Sequence, residues 1–157
     1  MNDASRYLER CIALAEEALD RGGDPFGSIL VAADGTILRE ERNETGGGDA
    51  TRHPEFALAR WAAANVEPAA RRHMTVYTSG EHCPMCSAAH AWAGLGPIVY
   101  ASSAEQLVGW LAEFGAPPLP VRPLAIRDVA PEIAVSGPVG DLARRVRALH
   151  ARRHGAR

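Results

Sequence analysis

In the segment SRYLERCIALAEEALDRGG, Leu8, Cys11, Ile12, Ala15, Ala18 and Leu19 fall on one helical stripe, and Gly22 with Gly23 supplies a stop. This predicts an amphipathic first helix with Cys11 as a small buried hydrophobe. PFGSILVAADGTILREERNE carries two apolar runs around Asp34-Gly35, a dipeptide suited to a tight turn with φ > 0 at both central residues, and so predicts a β-hairpin. Gly46 to Gly48 with Asp49 marks a flexible loop. Thr51, Pro54 and Glu55 then open a helix carrying Phe56, Leu58, Ala59 and Trp61, which ends before Pro68. MTVYTS reads as a short buried strand, CPMCSAAHAWAG as a helix opened by Pro84 and closed by Gly94, and PIVYAS as a further strand. Ser103 and Gln106 form a capping box for SAEQLVGWLAEFG. APPLPVRP is a stiff connector, LAIRDV the expected last strand, and Asp141 to Arg153 a last helix with Leu142, Val146 and Leu149 on one face. No internal repeat is visible. The order αββαβαβαβα places helices between strands, which implies a sheet covered on both faces: a three-layer α/β/α sandwich.

Composition narrows this picture. The 157 residues, 46% of them hydrophobic, are the amount expected of one domain spanning 1–157. All 17 basic residues are arginine, and against 19 acidic ones they leave a net charge of -2, so no global field argues for nucleic acid. RRVRALHARRHGAR, residues 144 to 157, is the exception, with six arginines in fourteen residues. It reads as a solvated last helix whose cations suit the C-terminal end of the dipole, with RNA or another anion as the second reading. Three cysteines, no signal-peptide pattern and no apolar run near the ~20 residues of a membrane span point to a reducing, cytoplasmic setting. Disulfides are therefore not expected, and a close cysteine pair reads as metal or redox chemistry.

That pair lies in TSGEHCPMCSAAHAW, with His82 before Cys83 and Cys86 and with His90 after them. Zinc takes thiolates and imidazoles in a tetrahedron; four protein ligands close a structural site, and three leave a corner for water. A closed local site would use His82, Cys83, Cys86 and His90. Geometry disfavours it: His90 lies about one turn beyond Cys86, and His82 would have to fold back past the helix start. The other reading takes its third ligand from TRHPEFA, where His53 and Glu55 also stand at a helix start. Two helix N-termini facing one crevice at the strand ends of an α/β sheet can bring His53, Cys83 and Cys86 to one Zn²⁺. Glu55 would then stand beside the open corner as a general base. A redox pair of Cys83 and Cys86 remains a third reading, one that gives His53 and Glu55 no role.

H-x-E followed by C-x-x-C is the pattern shared by zinc-dependent deaminases. DPFGSILV, ERNET, HPEFALA and YTSGEHCPMC moreover stand in the order and spacing of the cytidine-deaminase-like superfamily. The chain resembles its guanine deaminase and tRNA adenosine deaminase branch, from the first helix to about Phe114. The resemblance implies a five-stranded mixed sheet between helices, zinc on His53, Cys83 and Cys86, and proton transfer by Glu55. It further implies that Asn43 hydrogen-bonds the base, that Phe26 helps enclose it, and that two chains form a homodimer with active sites near the boundary. Trp92 matches a tryptophan of guanine-deaminase-like members, with a core position as the alternative, and Glu113 matches an acidic residue that assists proton transfer, with a surface helix as the alternative.

Two departures stand out. The family mostly has alanine between the histidine and glutamate, where this chain has Pro54, which a helix start tolerates. It mostly has proline before the first cysteine, where this chain has His82, expected either to wall the substrate pocket or to make a structural hydrogen bond. The expected function is zinc-dependent hydrolytic deamination of a free amino-substituted nucleobase, guanine- or cytosine-like, or a related azine ring. The alternatives are a tRNA adenosine deaminase and a non-enzymatic zinc-stabilised binding module.

Overall fold

Gly27–Val31 forms a strand, β1, that has no exposed position, and the reason lies in its neighbours. The computed structural model describes residues 2–155. In it β1 pairs antiparallel with β2 (Ile37–Arg42) on one side and with β3 (Thr75–Gly80) on the other. From β3 outward the pairing turns parallel, through β4 (Ile98–Ser102) to β5 (Val135–Ser136), giving the order β2-β1-β3-β4-β5. A five-stranded mixed sheet results.

Strand alternation sends successive side chains to opposite faces. One face of the sheet receives Leu30 and Val76, which pack with Leu58, Ala59 and Ala62 of α2 (Pro54–Asn65) and with Ala93 of α4 (Pro84–Ala93). The other receives Ile29 and Val31, which pack with Tyr7, Cys11 and Leu14 of α1 (Asp3–Asp20). Beside them Leu8, Ile12 and Ala15 of α1 meet Leu142, Val146 and Leu149 of α7 (Gly140–Arg153). Helices on both faces make the three layers, and each wholly buried leucine or isoleucine contributes about 1.5–3 kcal/mol relative to exposure. α1 can lie this close because of Gly27: a Cβ there would sit 2.4 Å from the Cys11 carbonyl oxygen and 2.7 Å from the Ala15 nitrogen.

Two expectations are corrected. The β1–β2 turn has positive φ only at Gly35, at 90°, and Asp34 stays in the ordinary region. Asp34 instead accepts a hydrogen bond from the Thr36 N–H at 2.9 Å, and the Gly35 N–H donates to the Ala32 carbonyl, so the loop is longer and bulged. The segment LAIRDV is not the last strand. Ile126–Val129 is a short helix, α6, because two carboxylates claim its first N–H groups: Asp128 accepts from Ala125 at 3.2 Å and Glu81 from Ile126 at 2.9 Å. The strand falls to Val135–Ser136. A short helix at Pro68–Arg71, α3, also follows α2, in a stretch to which the sequence reading assigns no element. The capping box at Ser103 and Gln106 opens α5 (Ala104–Glu113) as expected.

Candidate functional site

Pro54 and Pro84 each occupy the first turn of a helix, where a missing N–H costs nothing, and each is preceded by a cap residue that carries a ligand atom. His53 caps α2 and Cys83 caps α4, so both side chains project from helix N-termini at one end of the sheet. Cys86, a turn further into α4, is fully buried. His53 Nδ1 lies 3.5 Å from the sulfur of Cys83 and 3.5 Å from that of Cys86. With Zn–S of ~2.3 Å and Zn–N of ~2.0 Å, the nitrogen-to-sulfur edge of a tetrahedron is about 3.5 Å. The trio therefore fits zinc in spacing and in donor type. Among the described residues it is also the one group of three or more such side chains whose ligand atoms converge.

The thiols are poised unequally. The Cys83 pKa is held down at about 4, first by the hydrogen bond from the Cys86 thiol and then by that from His53. Cys86 moves the other way, because it shares its proton with Cys83 and is buried. His53 is raised, chiefly by its contact with Cys83. One thiolate is thus ready for a cation, and one proton must leave before the second sulfur can bind.

Glu55, two residues into α2, is buried with its carboxyl pKa raised by desolvation. Its Oε1 accepts hydrogen bonds from Ser28 Oγ at 3.0 Å and Thr78 Oγ1 at 2.8 Å. Its Oε2 makes none to another residue among those described. Sequence reasoning missed these two hydroxyls, although each is a polar position in an apolar strand run. It also missed Glu81, whose Oε1 accepts from the Ala104 N–H at 3.0 Å and whose Oε2 accepts from Ile126. Two residues before Cys83, this carboxylate ties the starts of α5 and α6 to the cysteine loop.

Asn43 is buried, and its Oδ1 accepts from Asp24 N at 3.2 Å, Thr45 N at 3.0 Å and Thr45 Oγ1 at 2.7 Å. Three donors on one atom fix the amide orientation and turn Nδ2 outward as a donor. Phe26 lies half-buried against Gly80, where a Cβ would be 3.2 Å from the ring, and edge-on to His150 at 5.0 Å.

The remaining three expected site residues are placed otherwise. His82 has no exposed surface to wall a pocket, and neither ring nitrogen has a hydrogen-bond partner. It stacks edge-on to His90 at 5.4 Å, and burial keeps it neutral. His90 in turn spends Nε2 on the Gly96 carbonyl at 2.7 Å, so neither histidine closes a four-ligand site. Trp92 is 91% exposed, neither in the core nor beside the trio: six residues beyond Cys86, it lies about 9 Å further along α4. Glu113, half-exposed, pairs with Arg147 of α7 and makes no hydrogen bond to Glu55.

Residues 1–102 match the family described as the cytidine and deoxycytidylate deaminase zinc-binding region. A probable cytosine deaminase of Schizosaccharomyces pombe is 33% identical over 137 residues, covering 84% of this chain and 82% of that protein. The guanine deaminase of Bacillus subtilis is 37% identical over 98 residues, 61% of this chain and 62% of its own. A solved guanine deaminase from Nitrosomonas europaea superposes with a TM-score of 0.69 at 18% identity, over 95% of this chain and 83% of that one, which shows a shared fold.

Proposed function

The chain belongs to the cytidine and deoxycytidylate deaminase zinc-binding family and is a hydrolytic deaminase acting on a C–N bond, and on that premise we propose that its substrate is a free amino-substituted nucleobase, guanine- or cytosine-like. The observation that carries the reading is the Glu55 carboxyl group: buried, raised in pKa, held by two other side chains at one oxygen and by none at the other among the described residues, and two residues from a zinc-fitting trio. Zinc held by His53 Nδ1 and the two sulfurs would bring the pKa of a water at its fourth position down to about 7. Glu55 Oε2 takes the proton that the attacking water loses and delivers it to the ring nitrogen beside the carbon under attack; it then takes the proton of the hydroxyl just added, as that oxygen becomes a carbonyl, and passes it to the amine, which leaves as ammonia. A raised carboxyl pKa suits this double duty, since the group must both gain and give up a proton near neutrality. Asn43 Nδ2 donates to an oxygen on the base, and Phe26 covers one side of the ring.

The pairing of the arginine-rich tail favours the free base over RNA. All five of its described arginines have acidic partners: Arg144 with Asp141, Arg145 with Glu9, Arg147 with Glu113, Arg152 with Glu16 and Asp20, and Arg153 with Asp24. Arg157 lies outside the described residues. Phosphate contacts would have to compete with these pairs, which supports a small substrate.

Two copies of the chain are proposed to associate through α2 and α4. These helices carry Trp92, exposed, and Phe56 and Met85, half-buried, apolar surface that a second copy could cover. Light scattering of Trp92→Glu tests this, with a shift from dimer to monomer expected.

Ammonia release across guanine, cytosine, adenine, their nucleosides and amino-triazines tests the substrate. Turnover of a free base above its nucleoside is the expected result. Turnover of tRNA adenosine alone, lost on deleting residues 151 to 157, would overturn it.

A further inference from the structure

Ser28 and Thr78 stand directly opposite one another in the β1–β3 register. Both are fully buried, on the face of the sheet where their neighbours along the two strands, Leu30 and Val76, are apolar. Burying two hydroxyls in such a sheet is unfavourable unless each finds a partner. Their contacts form a closed set: Ser28 Oγ to Glu55 Oε1 at 3.0 Å, Thr78 Oγ1 to the same oxygen at 2.8 Å, Ser28 Oγ to Thr78 Oγ1 at 2.8 Å, and Thr78 Oγ1 to the Gly80 carbonyl at 2.9 Å. The two hydroxyl protons serve these four contacts, and both can be given to Oε1 at once, while no other described residue makes a hydrogen bond to Oε2.

The asymmetry has a mechanical consequence. A glutamate side chain has three rotatable bonds, and a carboxyl group tied at one point could still swing. Two donors from adjacent strands, each on a backbone locked by sheet hydrogen bonds, remove that freedom and determine which oxygen faces outward.

We propose that Ser28 and Thr78 are positioning residues for deamination: a cross-strand hydroxyl pair that grips Glu55 by Oε1 so that Oε2 is the oxygen that carries the proton. This rests on the reading of Glu55 as the proton carrier. A pair that served only to satisfy a buried carboxyl group would matter for stability and leave the chemical step unchanged.

The test uses the zinc-replete full chain, with ammonia release from guanine or cytosine, whichever base the wild type turns over. Ser28→Ala and Thr78→Val are each expected to lower kcat about tenfold, with KM within about twofold and zinc content unchanged, since each removes one charge-assisted hydrogen bond. Thr78→Ser, which returns the hydroxyl, is expected to restore kcat. A second readout needs neither substrate nor metal: the Glu55 carboxyl band, isolated as the infrared difference between wild type and Glu55→Gln, is expected to shift when either hydroxyl is removed. Wild-type kcat and an unshifted band in folded Ser28→Ala and Thr78→Val, with Glu55→Gln inactive, overturn the clamp alone. An active Glu55→Gln overturns the reading of Glu55 and the clamp with it.

Discussion

Two stretches of the chain concentrate chemistry, and the fold treats them in opposite ways. His53, Glu55, Cys83 and Cys86 are sparse and come from two segments about thirty positions apart, yet at two helix starts the His53 imidazole lies 3.5 Å from both sulfurs, with Glu55 two residues along from it. The arginines of α7 are dense and local, and the fold disperses them. Arg145 and Arg152 reach back to Glu9 and Glu16, each 136 positions away, so that α7 is laced to α1 along its length. Density of one residue type along a chain therefore says little about a site. Convergence of different donor types, with polar atoms left unspent, says much more. Glu55 keeps one oxygen free of other described side chains, whereas every described arginine of the tail is paired.

The contrast can be broken most severely at the metal end. His53→Ala or Cys86→Ser is expected to lose both zinc, by elemental analysis, and all measurable ammonia release, because two remaining ligands hold the ion poorly. Glu55→Gln should retain one zinc per chain and lose turnover by about a thousandfold, near the upper range for removing a general acid–base group. Next in size is a stability effect that has one source at each end. His90 in α4 and His150 in α7 are both pushed down to about 4 by burial. Between their ordinary value of 6.5 and about 4 the unfolded chain binds protons that the folded chain refuses. Stability is therefore intact above that window and falls as pH drops through it, by about 1.4 kcal/mol per unit for each histidine. Urea unfolding at pH 7 and pH 5 should show His150→Phe losing about 2 kcal/mol less than wild type over that interval, a difference that leaves the ligand residues out of the comparison. The smallest effect belongs to the arginines: Arg152→Ala, half-exposed, should cost less than about 1 kcal/mol in the same unfolding experiment and leave kcat unchanged. A large loss of activity in that variant would mean that the tail serves the site after all.

Much of the architecture was legible because it is written in local terms. The stripe of α1, the capping box of α5, the proline-opened starts of α2 and α4 and the Gly94 stop all depend on residues within a few positions of one another, and all stand as expected. The metal trio was legible for the same reason: cap positions and helix starts set where His53, Cys83 and Cys86 point. LAIRDV misled because its alternation looks like a strand until the Glu81 carboxylate, forty-five positions upstream, takes the Ile126 N–H. His82 and Trp92 misled because a motif position says nothing about exposure, which the packing of neighbouring elements decides: His82 ends fully buried against His90, and Trp92 ends in the open.

The sequence by itself determined the five longer helices, four of the five strands and the donor set for an ion. It did so because periodicity, caps and C-x-x-C spacing act over a few residues, where chain geometry leaves few options. Only the tertiary structure decided that Ser28 would face Thr78 and hold one oxygen of Glu55, that three donors would turn the Asn43 amide outward, and that the arginines of α7 would be spent on α1. Those outcomes depend on which distant segments become neighbours, and that is set by burying both faces of one sheet at once.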